Sequence, residues 1–95
     1  MSMTFFPERV SYVKACHPHP PNTQYRISVG VENWNGVFVP VYKIQMVYDG
    51  KVSGRKSPSY PVDSDDFKRV HTELLDLIES VKEEKKHQRE TEVIK

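Results

Sequence analysis

Between Thr23 and Val62 apolar and polar residues alternate with a period of two, interrupted by Asn35-Gly36 and Asp49-Gly50. Both dipeptides favour the positive φ angles of a type I′ turn, whose twist matches that of paired strands. The pattern predicts a three-strand antiparallel meander over 23–34, 37–48 and 51–61. Pairing outward from the first turn sets Trp34 opposite Val37, Val29 opposite Tyr42, Ile27 opposite Ile44 and Tyr25 opposite Met46. One face then collects Tyr25, Ile27, Val29, Val31, Pro40, Tyr42, Ile44, Met46 and Tyr48. A one-residue slip would scatter that set, so turn chemistry and burial demand the same register.

The second turn is read differently. A strict two-residue turn at Asp49-Gly50 would bring Lys51, Ser53 and Arg55 onto the apolar face. A three-residue loop with a glycine bulge instead pairs Tyr48 with Val52 and sends Ser53, Arg55 and Ser57 to the mixed face. The bulged loop is the expectation. Pro58 and Pro61 remove ladder donors and mark this strand as an edge.

Glu8 to Cys16 alternates as a further strand, followed by the stiff connector His17-Pro18-His19-Pro20-Pro21-Asn22. Its place in the sheet is left open. At the other end Asp63 reads as a helix N-cap, with Val62 stapled to Phe67 and Asp65 and Asp66 facing the helix dipole. Phe67, Val70, Leu74, Leu77, Ile78 and Val81 recur at helical spacing, widened by Leu75. The expected fold is therefore α+β: a four-stranded antiparallel meander in the order β-β-β-β-α, with one C-terminal helix packed on one sheet face. Residues 1–81 form this domain, and 82–95 form a charged extension expected to fray.

Ninety-five residues allow one domain and a small core. The formal net charge is +1, so a nucleic-acid site would have to be a local patch. The single cysteine, Cys16, forms no internal disulfide and fits a reducing cytoplasm. No apolar run is long enough to cross a membrane. Met1 to Pro7 lacks the basic and apolar regions of a signal peptide. A cytoplasmic protein is expected.

Candidate chemistry is sparse. Cys16, His17 and His19 lie within four positions, but a structural zinc site needs a second ligand pair, and none follows. Cys16 beside His17 lacks an orienting acid and an oxyanion turn, and neighbours on a strand point to opposite faces. In Gly50 to Ser57, Arg55 interrupts the spacing of a phosphate-binding loop. The acids from Asp63 to Glu79 belong to the helix start and its polar face. No enzyme, metal or cofactor is expected.

The mixed face of the meander remains. It carries Arg26, Lys43, Gln45, Arg55 and Lys56, with Trp34 at one end. Cations anchor phosphates and aromatic rings stack on unpaired bases, which together make a single-strand nucleic-acid site for DNA or RNA. Gly54-Arg55-Lys56, then Ser59-Tyr60, then an acidic helix start with Phe67, resembles the single-stranded DNA-binding domain of transcriptional coactivator positive cofactor four and its bacterial relatives. The resemblance spans roughly Asn33 to Val81. It implies a curved sheet backed by one helix, a homodimer formed through the helices, and Arg55 and Lys56 at phosphates. Here two extra residues precede the helix and the strands are longer. Arg26, Lys43 and Trp34 rest on the face argument alone. The rival expectation is a homo-oligomeric interaction or assembly module, phage-like in kind, that meets another chain through Val37, Val39 and Val41.

Overall fold

Asn35 and Gly36 take φ angles of 54° and 90°, and Asp49 and Gly50 take 49° and 80°, so both dipeptides close two-residue hairpins. The computed structural model describes residues 4–94, with side chains for residues 4–85. Its four strands are β1 (Phe5–Lys14), β2 (Thr23–Trp34), β3 (Val37–Tyr48) and β4 (Lys51–Ser53), and its helix is α1 (Asp66–Ile94). They form one antiparallel sheet in the order β1-β2-β3-β4. The β2–β3 ladder runs from Trp34↔Val37 to Thr23↔Tyr48, the register expected from the first turn. The first strand, whose place the sequence left open, pairs with β2.

Two expectations are corrected. Tyr48 pairs with Lys51 and Val47 with Val52, so the second hairpin has no bulge, and the last strand ends at Ser53 rather than 61. Lys51 and Ser53 therefore sit on the helix-side face. That register is harmless because α1 packs on β1 and β2 and leaves the β4 edge of this face uncovered. The helix start is displaced as well. Helix bonding begins where the Arg69 N–H donates to the Asp65 carbonyl, and the Ser64 hydroxyl accepts from the Asp66 N–H. Val62 is 97% exposed and staples nothing. The helix continues through the charged segment to Ile94. Arg9 pairs with Glu84, and Glu8 lies 3.6 Å from Lys85, which ties this part of the helix to β1. Side-chain pairing beyond Lys85 lies outside the described residues.

The core lies between α1 and the helix-side face of the sheet, centred on β2. Tyr25, Ile27 and Met46 of the sheet and Val70 of the helix are wholly buried, with Ala15 and Leu74 beside them. Each such side chain contributes about 1.5–3 kcal/mol through burial. On β3 the helix-side face is only partly covered, and Tyr42 is 57% exposed. None of the described helices is long and apolar enough to cross a membrane.

Candidate nucleic-acid interface

The sheet face opposite α1 carries no covering layer. Strand alternation and the observed registers place Tyr12 and Lys14 of β1, Arg26, Ser28 and Glu32 of β2, Lys43 and Gln45 of β3, and Val52 of β4 on it. A depression of about 620 Å³ opens there, lined by Phe5, Tyr12, Arg26, Lys43, Gln45 and Val52 among others. Ser28 lies beneath it, wholly buried, with a hydroxyl that has no partner among the described residues.

Its polar groups are linked in two sets. Arg26 donates from Nη1 to Gln45 Oε1 at 2.8 Å, across the directly opposed pair Arg26↔Gln45. The Lys43 ammonium lies 2.5 Å from Glu32 Oε2 and 5.0 Å from the centroid of the Phe5 ring. The Trp34 indole N–H donates to Glu32 Oε1 at 2.7 Å. The Lys43 ammonium, with help from the indole, holds the Glu32 carboxyl below its ordinary range.

Four of the six expected site residues are thus brought onto one face: Arg26, Lys43 and Gln45 side by side, and Trp34 at the hairpin end. Arg55 and Lys56 are not set on a strand of that face. Both follow β4, and the Lys56 ammonium stands over the Tyr48 ring, 5.2 Å from its centroid, on the helix side of the sheet. The expected placement of Arg55 on the mixed face rested on a bulge that does not form. Tyr12, 53% exposed, and Phe5 are the additions. Tyr12 was legible as a strand residue, but its register opposite Arg26 depends on a pairing that no tight turn announced.

Charge is divided between the two layers. Residues 1–62 hold Arg9, Lys14, Arg26, Lys43, Lys51, Arg55 and Lys56 against Glu8, Glu32 and Asp49. From Asp63 to Lys85 eight acids face four bases. Within a near-neutral chain the sheet-forming part is therefore net basic and the segment from Asp63 to Lys85 net acidic.

A second polar cluster lies inside. Asp66 is wholly buried and accepts from the Tyr25 hydroxyl at 2.7 Å, the Cys16 N–H at 3.1 Å and Arg69 Nη2 at 2.5 Å. Arg69 also donates to the Lys14 carbonyl at 3.0 Å, and His19 Nε2 lies 2.8 Å from the Ser59 carbonyl. Burial pushes the Tyr25 hydroxyl well above its ordinary value, reinforced by the neighbouring carboxylate. With Tyr25 sealed off, this cluster ties the β1–β2 connector to the start of α1. Among the described residues, no group of three or more His, Cys, Asp or Glu side chains is placed to hold a metal ion. No family model, curated protein or solved structure matches the chain.

Proposed function

We propose that this chain binds single-stranded nucleic acid, DNA or RNA, without sequence preference, across the sheet face that α1 leaves open. One observation carries the reading: the open face combines the exposed rings of Tyr12 and Trp34 with Lys14, Arg26 and Lys43, against one acid there, Glu32. Arg26, Lys43 and Lys14 would meet phosphates, and Tyr12 and Trp34 would stack on bases. Gln45 holds the Arg26 guanidinium in place from the neighbouring strand. Arg55 and Lys56 would meet a strand only where it leaves the sheet at the β4 edge. The likeness to the positive cofactor four domain points the same way, towards a transcription-related role and a homodimer formed through α1, and the lone cysteine fits a cytoplasmic location.

The test is fluorescence anisotropy of a labelled single-stranded 20-base oligonucleotide across a salt series. Counterion release gives a slope of about −0.7 per phosphate contact, so Arg26 and Lys14 predict roughly −1.4, with Lys43 held in its pair with Glu32. Tyr12→Ala should weaken binding about 5- to 100-fold, the range for losing one stacked base. Arg26→Glu should weaken it at least tenfold and flatten the slope, with the thermal transition unchanged. Equal affinity in both variants, or no binding by the wild type at low salt, sinks the proposal.

A second reading is favoured by a separate observation. At the far end of the β2–β3 hairpin Trp34 and Val37 are exposed on one face, and Phe6 and Phe38 on the other, at 48–63%. Apolar groups on both faces of one hairpin end fit a protein-interaction or assembly surface. It predicts a stable oligomer with no salt-sensitive oligonucleotide binding.

A further inference from the structure

The pairing of Lys43 with Glu32 raises a difficulty for any phosphate that approaches the open face, because the cation already has an anionic partner. Strands β2 and β3 contain a single acidic residue, Glu32. It stands on the open face, with the acids of α1 on the other layer. Its two oxygens are used separately: Oε2 holds the Lys43 ammonium and Oε1 accepts from the Trp34 indole. The Glu32 side chain is only 18% exposed, against 38% for Lys43, so the carboxylate is tucked in while the ammonium stays within reach of solvent. An anion with two acceptor oxygens is thus already seated between one cation and one aromatic N–H.

We propose that Glu32 is a built-in competitor for the nucleic-acid phosphate, occupying the two donors that a bound strand must take over. The inference rests on the nucleic-acid reading and deepens it. When a strand binds, a phosphate oxygen replaces Glu32 at the Lys43 ammonium, and the indole of Trp34 is released to turn onto a base. Glu32 then lies near the phosphate as an unpaired like charge. Its carboxylate lowers affinity, and it makes binding depend more on stacking at Tyr12 and Trp34 than on charge. Release of the ligand restores the internal pair, so the face returns to a state that does not attract polyanions indiscriminately.

Glu32→Gln keeps the shape of the side chain and its carbonyl acceptor for Trp34 while removing the charge. Single-stranded 20-base DNA should bind this variant about threefold tighter or more at low salt, the factor expected from one like charge removed at roughly 6 Å in water. The salt slope should steepen by about 0.7, because Lys43 now counts as a free phosphate contact. Glu79→Gln, the same charge change on the exposed side of α1, should leave affinity and slope at their wild-type values. If Glu32→Gln lowers the thermal transition, Glu32→Thr, well suited to a strand, repeats the measurement without the carboxylate. Binding by the wild type with no change in either Glu32 variant overturns the inference and leaves the nucleic-acid reading standing. Weaker binding by a folded Glu32 variant also overturns it, since Glu32 would then be positioning Trp34 rather than competing. Equal gains from Glu79→Gln overturn it too, by assigning the effect to net charge. Failure of every protein to bind removes the reading itself, and the inference with it.

Discussion

Asp66→Ala should lower the free energy of unfolding by about 3–5 kcal/mol, the range seen when one partner of a buried, hydrogen-bonded charge pair is removed. Three donors converge on this carboxylate, and each comes from a different part of the chain. Tyr25 lies near the start of β2, Cys16 follows β1, and Arg69 lies one turn along α1. Without the carboxylate the Cys16 N–H loses its acceptor and the Arg69 guanidinium keeps only Asp65 and the Lys14 carbonyl. Tyr25 still has the Ser59 carbonyl at 2.9 Å, which makes this the least affected of the three. Asp66→Asn keeps the volume and should fall between alanine and wild type. Urea midpoints at constant m-value measure the ordering. A loss under 1 kcal/mol in the alanine variant would show that the cluster is not what fixes α1 to the sheet.

The same carboxylate sets an acid limit. Burial alone would raise its pKa. The hydrogen bonds from Tyr25, Cys16 and Arg69 outweigh burial and hold it at about 2, against an ordinary 3.8. A depressed carboxyl stabilises the fold fully above its unfolded value and loses that contribution as pH falls through the folded one. Stability should therefore fall by about 2 kcal/mol between pH near 4 and pH near 2 from this group. In Asp66→Asn that part of the acid limb should vanish. A wild-type acid limb retained in full by the variant would assign it to other carboxylates.

The sequence made the β2–β3 hairpin legible because two independent constraints agreed on it. Asn35-Gly36 fixed the turn, and the run from Tyr25 to Tyr48 required the same register to gather its apolar residues. At the second turn the constraints conflict only if Lys51 must avoid the apolar face, which would hold if α1 covered the whole sheet. The helix lies mainly on β1 and β2, so Lys51 stays in solvent and the ordinary two-residue turn stands. The bulged register also carries the strand on to Arg55, which lies beyond the end of β4. The role of Asp66 was hidden for a different reason: three acids at positions 63, 65 and 66 look alike as dipole partners, and only the tertiary fold turns one of them inward. The pairing of β1 was illegible because a loop with three prolines sets no register. Tyr12 and Phe5 entered the candidate site only once that register was known.

Gly30→Ala should be among the most damaging single substitutions outside the Asp66 cluster, although it adds only a methyl group to a strand. A Cβ at Gly30 would lie 2.1 Å from the Phe6 carbonyl oxygen and 2.7 Å from the Pro7 Cα. These are backbone atoms and cannot swing aside as a side chain would. The close approach coincides with the irregularity in the β1–β2 register between Pro7 and Arg9, where β1 carries an extra residue. To admit the methyl, the segment before Arg9 must lift from β2. That breaks the bond from the Asn33 N–H to the Thr4 carbonyl and separates the Phe5 ring from Lys43. Overpacking of this kind costs about 1–3 kcal/mol. Hydrogen exchange should localise the loss, with amides near Phe6 and Asn33 exchanging faster while those near Tyr25 and Val70 keep their protection. Uniform loss would mean that β1 peels away as one unit. Wild-type exchange throughout would mean that β1 does not cross Gly30 this closely. Because Phe5 lines the open face, the variant also separates two contributions to binding. Weaker oligonucleotide binding with Arg26 and Tyr12 intact would assign part of the affinity to the ring beneath Lys43.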